Sequence, residues 1–193
     1  MTERDTTLAG SSMPIRVAIY TTGGKATGVD ARTGHLREIL ETTGRSMLGR
    51  VRWQPLDAAV DGPAGDLAIA IDDVLIAIAD DDAFLPVHAS WHAVRLEVGP
   101  WVVEGDMPTL PGYDPGRALT RPSGEFVLLG DVRVGRLGGG EPQPAARQAL
   151  INRYAVERVE ADIMLGFFFP GAALGAAEEP ETAVQGPLVA RTS

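Results

Sequence analysis

The chain of 193 residues contains no cysteine and a single lysine, Lys25. Without thiols it can form neither a disulfide nor a thiolate metal site, and this composition is typical of a reducing compartment. The first residues, MTERDTTLAGSSMP, also lack the basic start and the apolar run of a secretory signal. We therefore expect a cytoplasmic protein.

The sequence also lacks an apolar run long enough to cross a bilayer. The longest, IMLGFFFPGAALGAA over residues 163–177, has 15 residues and contains Pro170 and three glycines, whereas a spanning helix needs about 20 residues. A net charge of -9 and a pI near 4.8 give the molecule a field that repels phosphate backbones. The sequence therefore predicts no membrane span, and nucleic-acid binding only where arginines form a local basic patch.

Two stretches of equal length and similar apolar rhythm are present, LAIAIDDVLIAIAD over residues 67–80 and ALINRYAVERVEAD over 149–162. Upstream of them, VAIYTTGGKATGVDA from Val17 aligns with VRLEVGPWVVEGDMP from Val94. SMLGRVRWQPL from Ser46 likewise aligns with VLLGDVRVGRL from Val127. We interpret these matches as an internal duplication with a period of about 80 residues.

Each copy reads as five short strands, because apolar and polar residues alternate and glycines mark the turns. In the first copy, LAIAI and VLIAI predict the most buried hairpin, turning at Asp72 and Asp73. The matching hairpin of the second copy is more polar. Because curling removes exposed strand edges, the sequence predicts an all-β fold of two tandem five-stranded small barrels.

The predicted domain boundaries follow from this repeat and from composition. The first barrel covers residues 15–80 and the second covers residues 93–170, with a linker over 81–92. Residues 1–14 and the tail over 171–193 have the composition of unstructured segments.

The strand order, with a second strand that ends in Gly28-x-Asp30, resembles the Sm-like fold and, more broadly, SH3-like barrels. Each copy is also similar to uncharacterised bacterial small-barrel proteins, a resemblance that implies no activity. The RNA-binding Sm signature has Asp followed by Asn after the second strand and an Arg-Gly pair in the closing hairpin. Both are missing here, and only Asn152-Arg153 resembles the second half of it. The resemblance implies a fold and weakens the inference to RNA.

No motif marks a catalytic or metal site. His88 and His92 have the spacing of two helical zinc ligands but follow Pro86 in the linker, without a glutamate between them. The acidic run over residues 80–82 lacks the EF-hand pattern, and the GGK over residues 23–25 lacks the rest of a phosphate loop. We predict no catalytic residue, no metal and no cofactor. An enzyme is the third possibility and would need a pocket between the barrels.

The leading prediction is a non-catalytic protein-interaction or assembly module that uses strand edges and the apolar C-terminal segment. Three consecutive aromatics, Phe167, Phe168 and Phe169, cannot all face one core if the segment is extended. Either the segment packs across the groove between the barrels, which we favour, or it binds a protein partner or a second copy. These three residues are the predicted partner-binding site.

The alternative is an Sm-like nucleic-acid-binding regulator, which the net charge disfavours. Arg50 and Arg52 have the same parity and should share one strand face. The candidate contacts are Arg50, Arg52, Arg133, Arg136, Asn152 and Arg153.

Overall fold

The computed structural model describes residues 14–32, 34–57, 62–80, 88–112 and 124–176. It confirms the predicted all-β class, with eleven strands and one short helix in these ranges. The elements are β1 Ile15–Tyr20, β2 Gly24–Asp30, α1 Leu36–Thr43, β3 Arg45–Pro55, β4 Gly62–Ala70, β5 Ile76–Ala79, β6 Ser90–Val98, β7 Trp101–Thr109, β8 Phe126–Arg136, β9 Gln143–Asn152, β10 Val156–Ala161 and β11 Ala173–Ala176.

All of these strands belong to one open sheet, in the order β11-β10-β6-β7-β8-β9-β5-β1-β2-β3-β4. The sequence predicted two separate barrels, whereas the described ladders run continuously from one half of the chain into the other. The joint is the antiparallel pair of β5 with β9. On either side of the joint, five strands follow the same order, β5-β1-β2-β3-β4 in the first half and β10-β6-β7-β8-β9 in the second.

The two halves also have the same strand registers, at the positions that the sequence alignment pairs. Because one residue of slip would move every side chain to the opposite face, equal registers place aligned residues on equivalent faces. Corresponding pairs are Val17 with Gly28 and Val94 with Gly105, Val17 with Ala79 and Val94 with Ala161, and Ser46 with Ile69 and Val127 with Ile151.

A bulge interrupts β3 and β8 at equivalent places. Its extra residue has a positive φ in both halves, 53° at Arg50 and 47° at Asp131. Opposite the bulge, each half has a glycine. A Cβ at Gly28 would lie 2.9 Å from the carbonyl oxygen of Gly49, and one at Gly105 would lie 2.8 Å from a carbonyl oxygen of β8. Close backbone approach therefore requires glycine at both places.

The predicted hairpin around Asp72 and Asp73 is wrong. A 3₁₀ turn over Ile71–Asp73, in which the Val74 N–H donates to the Ile71 carbonyl at 3.0 Å, separates β4 from β5. The described pairings place β4 beside β3, and β5 beside β1 and β9. A 3₁₀ turn bends the chain over a corner rather than folding it back, so the two strands reach opposite edges of the first half.

Two apolar cores lie on opposite faces of the sheet at the joint. β5 contributes to both, because its side chains alternate: Ala77 lies in the first core, and Ile76 and Ile78 lie in the second. Helix α1 covers the first core with its buried residues Leu36, Ile39 and Leu40. The sequence analysis, which assigned five short strands to each half, predicted no helix at this place.

Two predicted boundaries change. β6 begins at Ser90, inside the predicted linker over 81–92. β11 lies inside the predicted unstructured tail over 171–193. This segment is a strand because its backbone pairs in parallel with the outer side of β10. A partner strand can order a segment whose composition alone favours disorder. Residues 1–13 and 177–193 lie outside the described residues, so those parts of the predicted termini stay predictions.

Candidate functional site

The joint between the halves shows how this sheet accepts a strand. Ile76 of β5 lies opposite Ile151 of β9, and Ala77 lies opposite Leu150. Leu150 reaches into the first core, while Ile76 reaches into the second. Each strand therefore contributes an apolar side chain to the core of the other half, in addition to the backbone hydrogen bonds of the ladder.

Strand β4 is the counterpart of β9 in the first half, and its outer edge is open. Within the described ranges it pairs with β3 alone. Residues 67–70, LAIA, carry no charge, and Ala68 and Ala70 are exposed. Met47 lies opposite Ala68 on β3 and is 46% exposed. Asp66 precedes this segment and Arg45 lies opposite Ala70, but the four edge residues themselves are uncharged and can accept another strand.

The other end of the sheet is formed by β11, a strand of four residues. β11 covers β10, with Ala173 opposite Arg158. On β10, the Arg158 Nε lies 3.0 Å from Glu160 Oε1. Gly175 packs close to these side chains, since a Cβ there would lie 3.0 Å from Glu160 Cγ. β11 has four residues against nine in β4, and charged side chains of β10 lie beside it, so it offers a shorter edge for strand addition than β4 does.

The three consecutive phenylalanines do not lie in an extended segment. The Phe168 N–H donates to the Leu165 carbonyl at 2.9 Å, so the chain turns here. Phe169 is 1% exposed and lies in the second core, and Phe168 is partly buried against that core. Phe167 is 48% exposed. The turn puts Phe168 and Phe169 against the second core, and of the three rings only that of Phe167 is largely exposed.

A cleft of about 680 Å³ is lined by β1, β2 and β3 and by the end of the β8–β9 hairpin, on the sheet face where Tyr20 and Ile78 enter the second core. We call it the cationic cleft. Four cations and one carboxylate line it: Arg16, Lys25, Arg50, Arg52 and Asp80.

One wall of the cationic cleft is fixed between the two halves. Lys25 Nζ lies 5.0 Å from the centre of the Tyr20 ring, a cation–π distance. Tyr20 packs edge-on against Trp101, with ring centroids 5.0 Å apart, and Trp101 Nε1 donates to the Thr21 carbonyl at 2.9 Å. The contacts between β1 and β7 hold the Tyr20 ring, and thereby the position of Lys25.

The predicted nucleic-acid arginines are divided between surfaces. Arg50 and Arg52 both line the cationic cleft, as their shared parity predicted. Arg133 donates through Nε and Nη2 to the Pro142 carbonyl at 3.1 and 2.9 Å, and Arg136 lies exposed at the end of β8. Neither of these two lines the cleft.

Asn152 and Arg153 are buried, at 6% and 2% exposed. Arg153 Nη2 donates to the Phe167 carbonyl at 2.9 Å, and Asn152 Oδ1 accepts from the Tyr154 N–H at 3.0 Å. These side chains therefore hold the turns around β9 and β10, and a nucleic acid could not reach them. The six candidate contacts do not form one surface.

Sequence reasoning missed Arg16 and Lys25, which complete the cationic cleft with Arg50 and Arg52. A signal was present in the alignment of the halves. There, Arg16 corresponds to Ala93 and Lys25 to Val102. A cation that only one half carries, at an equivalent position, is not required by the shared backbone.

Asp30, at the end of β2, is a buried carboxylate with a structural role. Its side chain accepts hydrogen bonds from the Arg32 backbone N–H at 3.0 Å and from Ser46 Oγ at 3.4 Å, and it forms an ion pair with Arg32. Burial of the carboxyl raises the pKa of Asp30, but these hydrogen bonds and the Arg32 charge outweigh burial, so the pKa is lowered. The ionised carboxylate therefore stabilises the folded chain.

The histidines considered as metal ligands do not meet on a helix. His88 is exposed in a turn, and His92 lies in β6, with Nε2 3.0 Å from Thr109 Oγ1 and Nδ1 3.6 Å from Asp162 Oδ1. In the part of the chain that the structure describes, no three His, Cys, Asp or Glu residues are grouped so as to hold a metal ion.

The described ranges contain no helix long and apolar enough to cross a membrane. No protein-family model matches the chain, and neither a curated protein nor a solved structure matches it. What the protein does must therefore be inferred from the open strand edge and the cationic cleft.

Proposed function

We propose that the protein is a non-catalytic interaction module, built from two tandem small barrels of Sm-like or SH3-like type, in which the open edge of β4 accepts a strand from a protein partner. The equal strand order and registers of the halves support the tandem architecture. A common origin of the halves by duplication is part of this proposal.

The observation that carries the proposal is the contrast between β9 and β4. Both strands pair on one side with the preceding strand of their own half, at the equivalent pairs Val127 with Ile151 and Ser46 with Ile69. On its other side β9 binds β5. The described ranges supply no such strand to β4. An edge that is filled in one half and open in the other is a natural binding site for an extended segment.

The joint indicates the chemistry of the partner. β5 has the sequence IAIA, and by equivalence its Ile76 and Ala77 would lie opposite Ile69 and Ala68 of β4. We infer that the partner supplies an antiparallel strand with aliphatic residues at alternate positions. Main-chain hydrogen bonds would give affinity, and burial of aliphatic side chains beside Met47 would give selectivity.

A second contact surface lies at the C-terminal end of the described chain. Met164, Phe167 and Leu174 are 69%, 48% and 53% exposed. Leu174 Cδ1 would lie 3.3 Å from a Cβ at Gly166, which places β11 beside the turn that carries Phe167. Exposed apolar side chains grouped in this way favour protein binding. Phe169 is excluded from this contact surface because it is buried.

The nucleic-acid alternative has weaker support. Its six residues lie on separate surfaces or in the interior, and only Arg50 and Arg52 share a site. The cationic cleft can bind an anion that is not a nucleic acid, so its presence does not by itself favour this alternative.

The proposal can be tested with a peptide that copies β5. The probe is residues 74–80, VLIAIAD, extended by lysines for solubility, added to the ¹⁵N-labelled full chain. We expect the amide signals of residues 67–70 to shift and to become protected from hydrogen exchange. Ala68→Arg should weaken peptide binding about tenfold, since a charge at a strand edge opposes pairing.

The matched control is Ala173→Arg, which makes the same change at the opposite end of the sheet and should leave peptide binding unaltered. Light scattering of the free chain, of mass 20.4 kDa, shows whether a second copy already occupies the edge. A doubled mass that Ala68→Arg abolishes would identify that copy as the partner. A monomer whose β4 signals do not respond to the peptide contradicts the proposal.

A further inference from the structure

The cationic cleft concentrates positive charge in an acidic protein. Its lining holds four cations and one carboxylate, whereas the whole chain carries a net charge of -9. Within the described ranges, no ion pair involves the side chain of Arg16 or Arg50. Because the four cations outnumber the single carboxylate, Asp80, they repel each other on balance, and an anion bound beside Arg16 and Arg50 would relieve that repulsion.

The fold itself does not demand this charge, because the second half has the same backbone with different side chains. The remaining cation there, Arg133, lies 3.8 Å from Glu104 Oε2. The equivalent positions are Arg16 and Ala93, Lys25 and Val102, Arg50 and Asp131, and Arg52 and Arg133.

The rest of the lining limits the kind of anion. Apolar side chains of Ala18, Val29, Ile78 and Pro144 face the cleft together with Tyr20. A ligand that combines an anionic group with an apolar or planar body would fit both kinds of wall. The volume of about 680 Å³ lies in the range of small-molecule sites.

We propose that the cationic cleft binds a small organic phosphate of about nucleotide size, with its phosphate groups between Arg16, Lys25 and Arg50. Guanidinium groups are well suited to this role because their donors match pairs of phosphate oxygens. The site is separate from the β4 edge and does not depend on strand addition there.

A small ligand fits better than a nucleic-acid strand. The cations belong to the first half alone, and the equivalent face of the second half carries Glu104 and Asp131. A polymer that left the cleft would meet arginines that Glu104 already neutralises, on a chain whose net charge of -9 repels a phosphate backbone. A compact ligand needs only the local field of the cleft.

The test is calorimetric titration of the full chain with adenosine triphosphate and, separately, with inorganic tripolyphosphate, at low salt. We expect saturable one-to-one binding that added salt weakens. Arg16→Gln and Arg50→Asn should each weaken it about tenfold, the effect of losing one charge-assisted contact. Asparagine tolerates the positive φ at position 50, so that variant changes charge with little strain.

Arg133→Gln is the matched control, because it removes the same charge at the position equivalent to Arg52 and should bind as the wild type does. Circular dichroism checks folding, and Arg16→Gln, at an exposed position, carries the test if Arg50→Asn is unstable. Tighter binding of adenosine triphosphate than of tripolyphosphate would support a role for the apolar wall. Absence of binding, an equal loss in Arg133→Gln, or affinity that rises with the length of a single-stranded RNA would overturn the proposal.

Discussion

The two halves of this protein have one backbone plan and two side-chain chemistries. In both, a glycine opposite a positive-φ bulge lets β2 approach β3, or β7 approach β8, at the same register. These backbone features have few alternatives, because a Cβ at Gly28 or Gly105 would collide with a carbonyl oxygen. Most other positions can change without altering the strand order. The comparison teaches that a small set of backbone constraints can hold one strand arrangement while the surface side chains differ.

The side chains around β2 and β7 show this difference most clearly. In the second half, Glu104 forms ion pairs with Arg95 and Arg133, so the charges of that face are balanced locally. In the first half, the position of Glu104 is taken by Thr27, and the cations around it line the cationic cleft. One face carries ion pairs among its own residues, whereas the other carries four cations and one carboxylate.

The interiors diverge as well. Asp30 and Ser46, which are hydrogen-bonded to each other in the first half, correspond to Met107 and Val127 in the second. All four side chains are buried. The first half therefore holds the end of β2 with a buried ion pair to Arg32, and the second half uses apolar packing at the same place.

The largest effect should come from exchanging the residues that distinguish the two equivalent strands β5 and β10. Ile76 is fully buried at the joint, and its counterpart Arg158 is exposed. Ile76→Arg should lower the free energy of unfolding by about 4 kcal/mol or more, because it buries an unpaired charge. Arg158→Ile should change it by about 0.5 kcal/mol at most. Denaturant unfolding measures both, and equal effects would contradict the inequivalence of the two strands.

A smaller effect is expected at the buried ion pair. Asp30→Asn should lower the free energy of unfolding by about 3 kcal/mol at pH 7, since it removes a buried charge from its partner. Because the pKa of Asp30 is lowered in the folded chain, its stabilisation is complete above the unfolded value of about 3.9 and is lost as the pH falls through the folded value.

Unfolding measured from pH 7 down to acid should therefore show the difference between wild type and Asp30→Asn shrinking only below about pH 4. Met107→Leu, at the equivalent apolar position, serves as the control and should leave the pH dependence unchanged. If the difference in the free energy of unfolding between wild type and Asp30→Asn stayed constant across the acid range, the ionised carboxylate would be excluded as the source of that difference.

The smallest effect tests what the halves share. Gly28→Ala and Gly105→Ala should each cost about 1 to 2 kcal/mol, because the added Cβ forces β2 from β3, or β7 from β8. Gly140→Ala is the control, since nothing lies within 4 Å of a Cβ there. Thermal unfolding should give similar losses for the first two variants. Strongly unequal losses of stability in Gly28→Ala and Gly105→Ala would show that the two glycines are packed differently although their strands have the same register.

Much of the sheet could be predicted from the sequence, since alternation located most strands and the aligned stretches matched equivalent registers. The closing hairpin could not, because LAIAI and VLIAI are consistent with either a hairpin or two strands that part at a 3₁₀ turn. The sequence also did not determine whether the Phe169 side chain is buried or exposed. Only the turn after Leu165 determines that its ring enters the second core while Phe167 stays exposed.

The candidate surfaces were predictable only in part. The shared parity of Arg50 and Arg52 is a local property, and the structure places both in the cationic cleft. The other two cations of the cleft, Arg16 and Lys25, come from β1 and β2. The meeting of all four cations therefore depends on long-range strand pairing. The open edge of β4 could not be located either, because parity says which face a residue occupies but not which strand lies beside it.

The sequence by itself determined the β class, the positions of most strands and the equivalence of the halves, because periodicity and glycine spacing are local properties of the chain. Tertiary structure alone decided that the halves join through β5 and β9, that β11 covers β10, and that no strand of the described ranges lies beyond β4. Every strand exposes backbone donors and acceptors on both sides. Which of these find partners is settled by competition among all strands of the folded molecule.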